Sequence, residues 1–167
     1  EKERMPAGRA EKEMQAVLQR VSRAEVSVNG RVSGSCNRGF LILLGVFEGD
    51  GEEDADLLAE KIAKLRVFAD EQGKMNKSIL DVGGSVLVVS QFTLWANYVH
   101  GNRPDFFSAA KPEKANRLYE YFSERMRILV PNGVGNGVFG ADMQIEACCD
   151  GPVTIVMDSE KLKKKAK

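Results

Sequence analysis

The chain has 167 residues, 43% of them apolar and 29% charged. These are ordinary values for a globular domain and argue against a disordered chain. Lys plus Arg and Asp plus Glu both number 24, so the formal net charge is zero. The longest apolar run, Phe40 to Phe47, is too short to span a bilayer. The charged N-terminus has no apolar signal core. Three cysteines, two of them adjacent (Cys148, Cys149), do not make a disulfide framework. A reducing, cytoplasmic setting is expected.

Charge is unevenly spread. Residues 14–159 carry 15 basic and 19 acidic side chains, whereas residues 160–167 carry five lysines against Glu160. By charge alone the core is not a nucleic-acid binder, so an RNA partner would have to be held locally, by a small basic patch or by the tail. Residues 1–13 lack apolar periodicity and read as a disordered extension or a remnant of recombinant expression, with Met14 a plausible original start. Residues 14–159 read as one domain, and the lysine-rich tail as a solvated end.

Gln15 to Ser22 is rich in aliphatics and predicts a strand. Glu25 to Val28, Asn29-Gly30 and Arg31 to Ser35 form a hairpin signal, because Asn-Gly accepts the positive φ of a tight turn. Phe40 to Val46 predicts a strand buried on both faces. Asp50 with Glu53 resembles an N-cap and its box partner. Leu58, Ile62 and Leu65 then recur at helical spacing to about Phe68, and Gly73 breaks the pattern. Gly83-Gly84 precedes a β-branched strand, Ser85 to Gln91. Pro112 suits a first helical turn, and Ala115, Leu118, Phe122, Met126 and Leu129 form an apolar stripe. Pro131, Gly133, Gly135 and Gly137 end it. Asp142 to Cys148 and Val153 to Met157 predict two last strands joined by Asp150-Gly151-Pro152. Strands dominate both ends, which points to an α+β fold: a curved, mostly antiparallel, barrel-like sheet with two main helices packed on it.

Familiar catalytic patterns are missing. His100 is the single histidine and lies in a polar loop, no His/Cys spacing fits zinc, and no Gly-rich phosphate loop precedes a helix. No metal or cofactor is implied. Adjacent Cys148 and Cys149 would point to opposite faces of a strand. Two segments stand out. Ser90-Gln91-Phe92-Thr93-Leu94 closes a buried strand with a hydroxyl, an amide, an aromatic and a second hydroxyl; it reads equally as a ligand-facing strand end or as a solvated one. Gly151-Pro152 reads as a simple turn or as a cis dipeptide.

Taken in order, MQAVLQRVSRAEV, GKMN (73–76), SVLVVSQFTL, RPDF (103–106), FGADM (139–143) and DGPVT resemble the D-aminoacyl-tRNA deacylase family over Met14 to Asp158. The resemblance implies a cytoplasmic homodimer with its active site at the subunit interface, no membrane association, and hydrolysis of the ester between a D-amino acid and the tRNA 3′ adenosine. It also implies removal of glycine from mischarged tRNA. By position, Ser90, Gln91, Phe92 and Thr93 would line the catalytic pocket. Gly151 and Pro152 would form a cis dipeptide that enters the partner's pocket, and Arg20 would hold it. The family pattern has Asn two residues before the glycine, where this chain has Cys149. A thiol is a poorer hydrogen-bond partner, so the turn's anchoring is expected to differ.

An aminoacyl ester is already activated, so holding it, placing a water and stabilising an oxyanion can suffice. Backbone N–H groups around Gln91 to Thr93 are the expected donors, with the substrate's ribose hydroxyl activating the water. A Thr93 nucleophile would need an adjacent base, and none is evident. Two rival readings are a non-catalytic tRNA-binding module of the same fold and a Thr93-dependent esterase acting on free esters.

Overall fold

The structure is a computed structural model, and it describes residues 12–165. The expectation for residues 1–13 lies almost wholly outside that range. The chain runs β1 (Gln15–Val28), β2 (Arg31–Cys36), β3 (Gly39–Gly45), α1 (Glu52–Lys64), β4 (Phe68–Ala69), β5 (Met75–Lys77), β6 (Ser85–Ser90), a 3₁₀ turn (Phe92–Trp95), α2 (Pro112–Leu129), β7 (Val134–Asn136), β8 (Gln144–Asp158) and α3 (Ser159–Lys165).

The two strands expected before residue 28 are one. β1 is a long central strand that pairs with β8 along one edge; β3, from Gln15 to Val21, and β2, from Ala24 to Val28, share the other. Asn29, at φ 51°, and Gly30, at φ 77°, make the expected hairpin turn. All pairings of β1 are antiparallel, whereas β3–β6 and β6–β7 are parallel. The parallel half follows from connectivity, since α1 and α2 lie between those strands and supply the crossovers that parallel neighbours need. The ends of the sheet meet where β2 approaches β7. A Cβ on Gly34 would sit 2.3 Å from the Asn136 carbonyl oxygen, and one on Gly135 would sit 2.4 Å from that of Ser35. Only glycine permits that approach, which brings the barrel near closure.

Alternation divides the core. Phe40, Ile42 and Leu44 join Met14, Ala16 and Leu18 beneath Leu58, Ile62, Leu118, Phe122 and Met126 of the helices. Leu41 turns the other way and packs with Val21, Val26, Leu87 and Val89 inside the barrel. This is why Phe40 to Val46 reads as an unbroken apolar run.

Two helix boundaries differ from expectation. The N-cap of α1 is Gly51, and the box partner is Asp54, whose carboxylate accepts the Gly51 N–H at 2.8 Å. Asp50 instead closes the preceding turn by accepting the Phe47 N–H at 2.7 Å. The helix stops at Lys64 because Leu65 is extended, with ψ 128°. At the C-terminus, α3 replaces the expected solvated tail within the described residues. Lys163 bridges Glu13 at 2.6 Å and Asp54 at 3.0 Å, and the buried Ser159 hydroxyl donates to Asp54 at 2.7 Å. Burial alone would raise the Asp54 carboxyl, but hydrogen bonds with the Glu13 carboxyl, the Gly51 N–H, Ser159 and Lys163 outweigh it and hold the group down at about 2.

Asp50 has the opposite fate. It is 4% exposed, one carboxylate oxygen has no partner, and burial pushes its pKa up to about 7. An unfolded Asp titrates near ~3.9. Its contribution to stability is therefore complete below about 4 and is lost as pH rises through about 7. Asp50→Asn removes that titration. The melting temperature of the variant relative to wild type should rise between pH 4 and 7 and level off above 7, measured by calorimetry across that range. A difference that stays constant with pH would contradict this account.

Candidate functional site

The two segments singled out by sequence sit on different parts of the sheet. β6 is buried through Val86 to Val89 and ends at Ser90, one residue before the expected limit. Gln91 still donates its N–H to the Leu44 carbonyl at 2.8 Å. The chain then tightens into the 3₁₀ turn, so Phe92 and Thr93 lie on a turn and not on a strand. Trp95 anchors that turn by packing on Phe47 at 4.7 Å between ring centroids. Gly45 allows it to approach, since a Cβ there would sit 3.0 Å from the Leu94 side chain. Phe92 remains 54% exposed and meets Phe106 edge-on at 5.1 Å.

The chemistry of this segment is neutral. The Gln91 side-chain amide donates to the Thr93 hydroxyl at 2.5 Å. Neither a carboxylate nor His100 hydrogen-bonds to Thr93 or Ser90 among the described residues. An amide cannot take a proton from a hydroxyl at neutral pH, so Thr93 has no general base. Main-chain donors are present. The 3₁₀ turn begins with N–H groups that have no preceding carbonyl within bonding reach. Gln91 N–H is occupied by Leu44, whereas those of Phe92 and Thr93 have no acceptor among the described residues. The expected donor set therefore narrows to Phe92 and Thr93.

The second segment lies inside β8, which sequence divided in two. β8 pairs with β1 on either side of a break. Cys149 faces Val21 and Thr154 faces Gln19, so five steps of β8 cover two steps of β1. Asp150 to Val153 bow out opposite Arg20. The Gly151-Pro152 peptide is cis, and Gly151 has φ +123°, a value that side-chain-bearing residues rarely adopt. Arg20 fills the gap. Its Nε donates to the Asp150 carbonyl at 3.1 Å and its Nη1 to the Val67 carbonyl at 2.6 Å, with the Asp150 carboxylate 3.5 Å away. The Cys149 thiol makes no hydrogen bond among the described residues, so the anchoring falls to Arg20. Cys148 and Cys149 are both exposed, and burial pushes the Cys36 thiol up to about 11.

Within one chain these two segments stay apart. Ser90 is level with Leu44, which faces Ala16 on β1, and the bowed segment is level with Arg20 on the far side of β1. Three strand spacings of ~4.8 Å and four residues of ~3.3 Å separate them. Gln144 to Pro152 are exposed on successive residues, so both faces of this part of β8 are open as well as its outer edge. Sequence reasoning missed this edge, because its residues (QIEACCDGP) have no strong apolar alternation.

Comparison with known proteins bears on the same residues. A model of the family described as D-Tyr-tRNA(Tyr) deacylase matches residues 17–158. The D-aminoacyl-tRNA deacylase of Koribacter versatilis (strain Ellin345) is 55% identical over 150 residues, spanning 89% of this chain and 99% of its own. That of Anaeromyxobacter dehalogenans (strain 2CP-C) is 56% identical over 151 residues, with the same coverage of each. A solved structure described as a c-Myc DNA Unwinding Element Binding Protein superposes with a TM-score of 0.80 at 42% identity, covering 86% of this chain and 97% of its own. One described as a probable eukaryotic D-amino acid tRNA deacylase gives 0.76 at 16% identity, covering 87% and 98%, and shares the fold. The barrel-like α+β architecture, the match over 17–158 and the identity to full-length relatives agree: the chain belongs to the D-Tyr-tRNA(Tyr) deacylase family, and the enzyme it forms is a hydrolase of the D-aminoacyl-tRNA deacylase class.

Proposed function

We propose that this enzyme hydrolyses the ester bond joining a D-amino acid to the tRNA 3′ adenosine, and glycyl esters on non-cognate tRNA, in the cytoplasm and as a homodimer. The observation that carries the cross-subunit reading is the separation of the 90–93 turn from Gly151-Pro152 in one chain, together with the open edge of β8 that bears the dipeptide. A second copy docked along that edge would bring one protomer's dipeptide to its partner's turn. An exposed, unpaired strand edge is a liability that natural proteins cover, which supports the same arrangement.

In this reading Ser90, Gln91, Phe92 and Thr93 line the aminoacyl-adenosine pocket. The free N–H groups of Phe92 and Thr93 stabilise the oxyanion that forms when water attacks the ester carbonyl. The ribose hydroxyl next to the ester relays the proton, accepting the one the water loses while its own passes to the departing ribose oxygen, since Thr93 is bonded to a neutral amide and offers no base. The partner's Gly151 and Pro152 carbonyl oxygens accept hydrogen bonds from the substrate ammonium. An L-configured Cα would then push its side chain into main chain, whereas hydrogen or a D side chain points out to solvent. A 10⁴-fold preference corresponds to about 5.5 kcal/mol, within reach of a clash with rigid backbone. Broad tolerance of D side chains follows from the same geometry.

Deacylation of D-Tyr-tRNA, L-Tyr-tRNA and free D-Tyr ethyl ester tests the reading directly. The wild type should act on the D-substrate, spare the L-substrate, and act weakly on the ester that lacks RNA. Thr93→Ala should keep activity within about tenfold; complete loss with an intact fold would install Thr93 as nucleophile. Binding of tRNA without turnover would leave only the RNA-binding module.

Arg20→Ala deprives two main-chain carbonyls of their donor. It should cost about 1–3 kcal/mol of stability in urea unfolding and lower kcat/KM on the order of a hundredfold. Unchanged kinetics would separate Arg20 from the dipeptide. Sedimentation velocity should give a dimer at micromolar concentration, and a fully active monomer would exclude a site shared between subunits.

A further inference from the structure

Between the 3₁₀ turn and α2 the chain makes an excursion that the proposed pocket does not use. Asn97 and Asp105 pair as one antiparallel rung, with N–H···O=C bonds of 2.8 and 2.9 Å, and close a short loop from Tyr98 to Pro104. The Asn97 side chain accepts the Val99 N–H at 3.2 Å, and Gly101 turns the tip at φ +77°. Despite this built base the side chains of the loop stand exposed among the described residues. Tyr98 is 76% exposed and Phe107 is 91% exposed, and His100 and Arg103 are also exposed. Phe106, at the foot of the loop, joins it to Phe92 through their edge-on contact.

The charge of the segment is also distinctive. Residues 96–117 carry Arg103, Lys111, Lys114 and Arg117 against Asp105 and Glu113, while the remainder of 14–159 carries 11 basic and 17 acidic residues. Lys111, Lys114 and Arg117 line one shallow surface depression at the start of α2, with Glu113. Lys111, Arg103 and Arg117 form no ion pair among the described residues. Exposed aromatic rings interleaved with unpaired cations suit single-stranded nucleic acid: rings stack on bases of any identity while cations follow the phosphates.

From this combination we propose that the loop 98–104, Phe107 and the start of α2 form the platform for the unpaired nucleotides that precede the terminal adenosine of the substrate. This rests on the reading that places that adenosine at Ser90 to Thr93, because the Phe92–Phe106 contact makes the two surfaces continuous. Tyr98 and Phe107 stack on bases. Arg103, Lys111 and Arg117 neutralise phosphates, which lets a chain with an acidic core hold a polyanion.

The test uses the full chain and three probes: a fluorescein-labelled single-stranded RNA ending in CCA, D-Tyr-tRNA, and 3′-O-D-tyrosyl-adenosine, which lacks the preceding nucleotides. Tyr98→Ala and Phe107→Ala should each weaken RNA binding about tenfold, equivalent to about 1.4 kcal/mol, and raise KM for D-Tyr-tRNA in proportion, with kcat and turnover of the adenosine ester unmoved. Arg103→Gln should flatten the salt dependence of RNA binding by about 0.7 in log–log slope. Both aromatic side chains are exposed, so the variants should fold, which circular dichroism checks. RNA affinity equal to wild type would overturn the proposal, as would an equal loss on the adenosine ester or a shift to monomer in Tyr98→Ala. A wild type that binds the RNA through these residues but hydrolyses no D-aminoacyl ester would strike the pocket reading and leave the platform. An active wild type with RNA binding indifferent to both variants would strike the platform and leave the pocket.

Discussion

A single guanidinium bridges the break in the long β1–β8 ribbon. Arg20 stands where β8 leaves its partner, and it supplies the hydrogen bonds that the ladder can no longer make. One nitrogen serves the carbonyl of Asp150 and another serves that of Val67, in a different part of the chain. A planar fork with donors in fixed directions can join two carbonyls in this way; a lysine ammonium on a flexible stem is a poorer substitute. Gly151 makes room for it, since a Cβ there would lie 3.1 Å from Arg20 Nη2. Remove the fork, and two main-chain carbonyls lose their donors while the bowed segment loses its link to the rest of the fold.

In the proposed site, main chain stands where other hydrolases present reactive side chains. The turn after β6 has a hydroxyl bonded to an amide and two amide N–H groups with no acceptor in the described fold. Such a surface can polarise and hold an ester that is already labile, and it has little means to generate a nucleophile. In the proposed function backbone also selects handedness, because its position is set by the sheet and cannot rotate away as a side chain can. The carboxylates with strongly displaced pKa values lie at the start of α1: Asp50 closes the preceding turn onto Phe47, and Asp54 ties Ser159 and Lys163 to the helix. Their displaced values report structural burial and bonding.

Much of this was legible in advance, and for identifiable reasons. The Asn29-Gly30 turn, the apolar run of β3 and the stripe of α2 are local patterns whose period is set by the element itself. The order of short motifs from Gln19-Arg20 to Gly151-Pro152 pointed to the family even though neither SQFTL nor Gly-Pro would have done so alone. The misreadings share a cause. Asp50 has the chemistry of a cap, yet the chain places Gly51 there and turns Asp50 back onto Phe47. The lysine tail has the composition of a solvated end, yet Lys163 finds Glu13 and Asp54. In each case a distant or neighbouring partner competed successfully with the local preference.

The amino-acid order by itself determined the main strands and the two long helices, their buried faces, the family and the residues that carry its motifs, because periodicity, turn chemistry and motif spacing are written along the chain. Tertiary structure alone decided that residues 144–158 form one strand with a bow in it, that Phe92 and Thr93 sit on a turn with free N–H groups, and that the two motif segments lie on opposite sides of β1. Those outcomes depend on hydrogen bonds such as the one between Arg20 and Asp150, made across 130 residues of sequence, and no local pattern encodes a partner so far away.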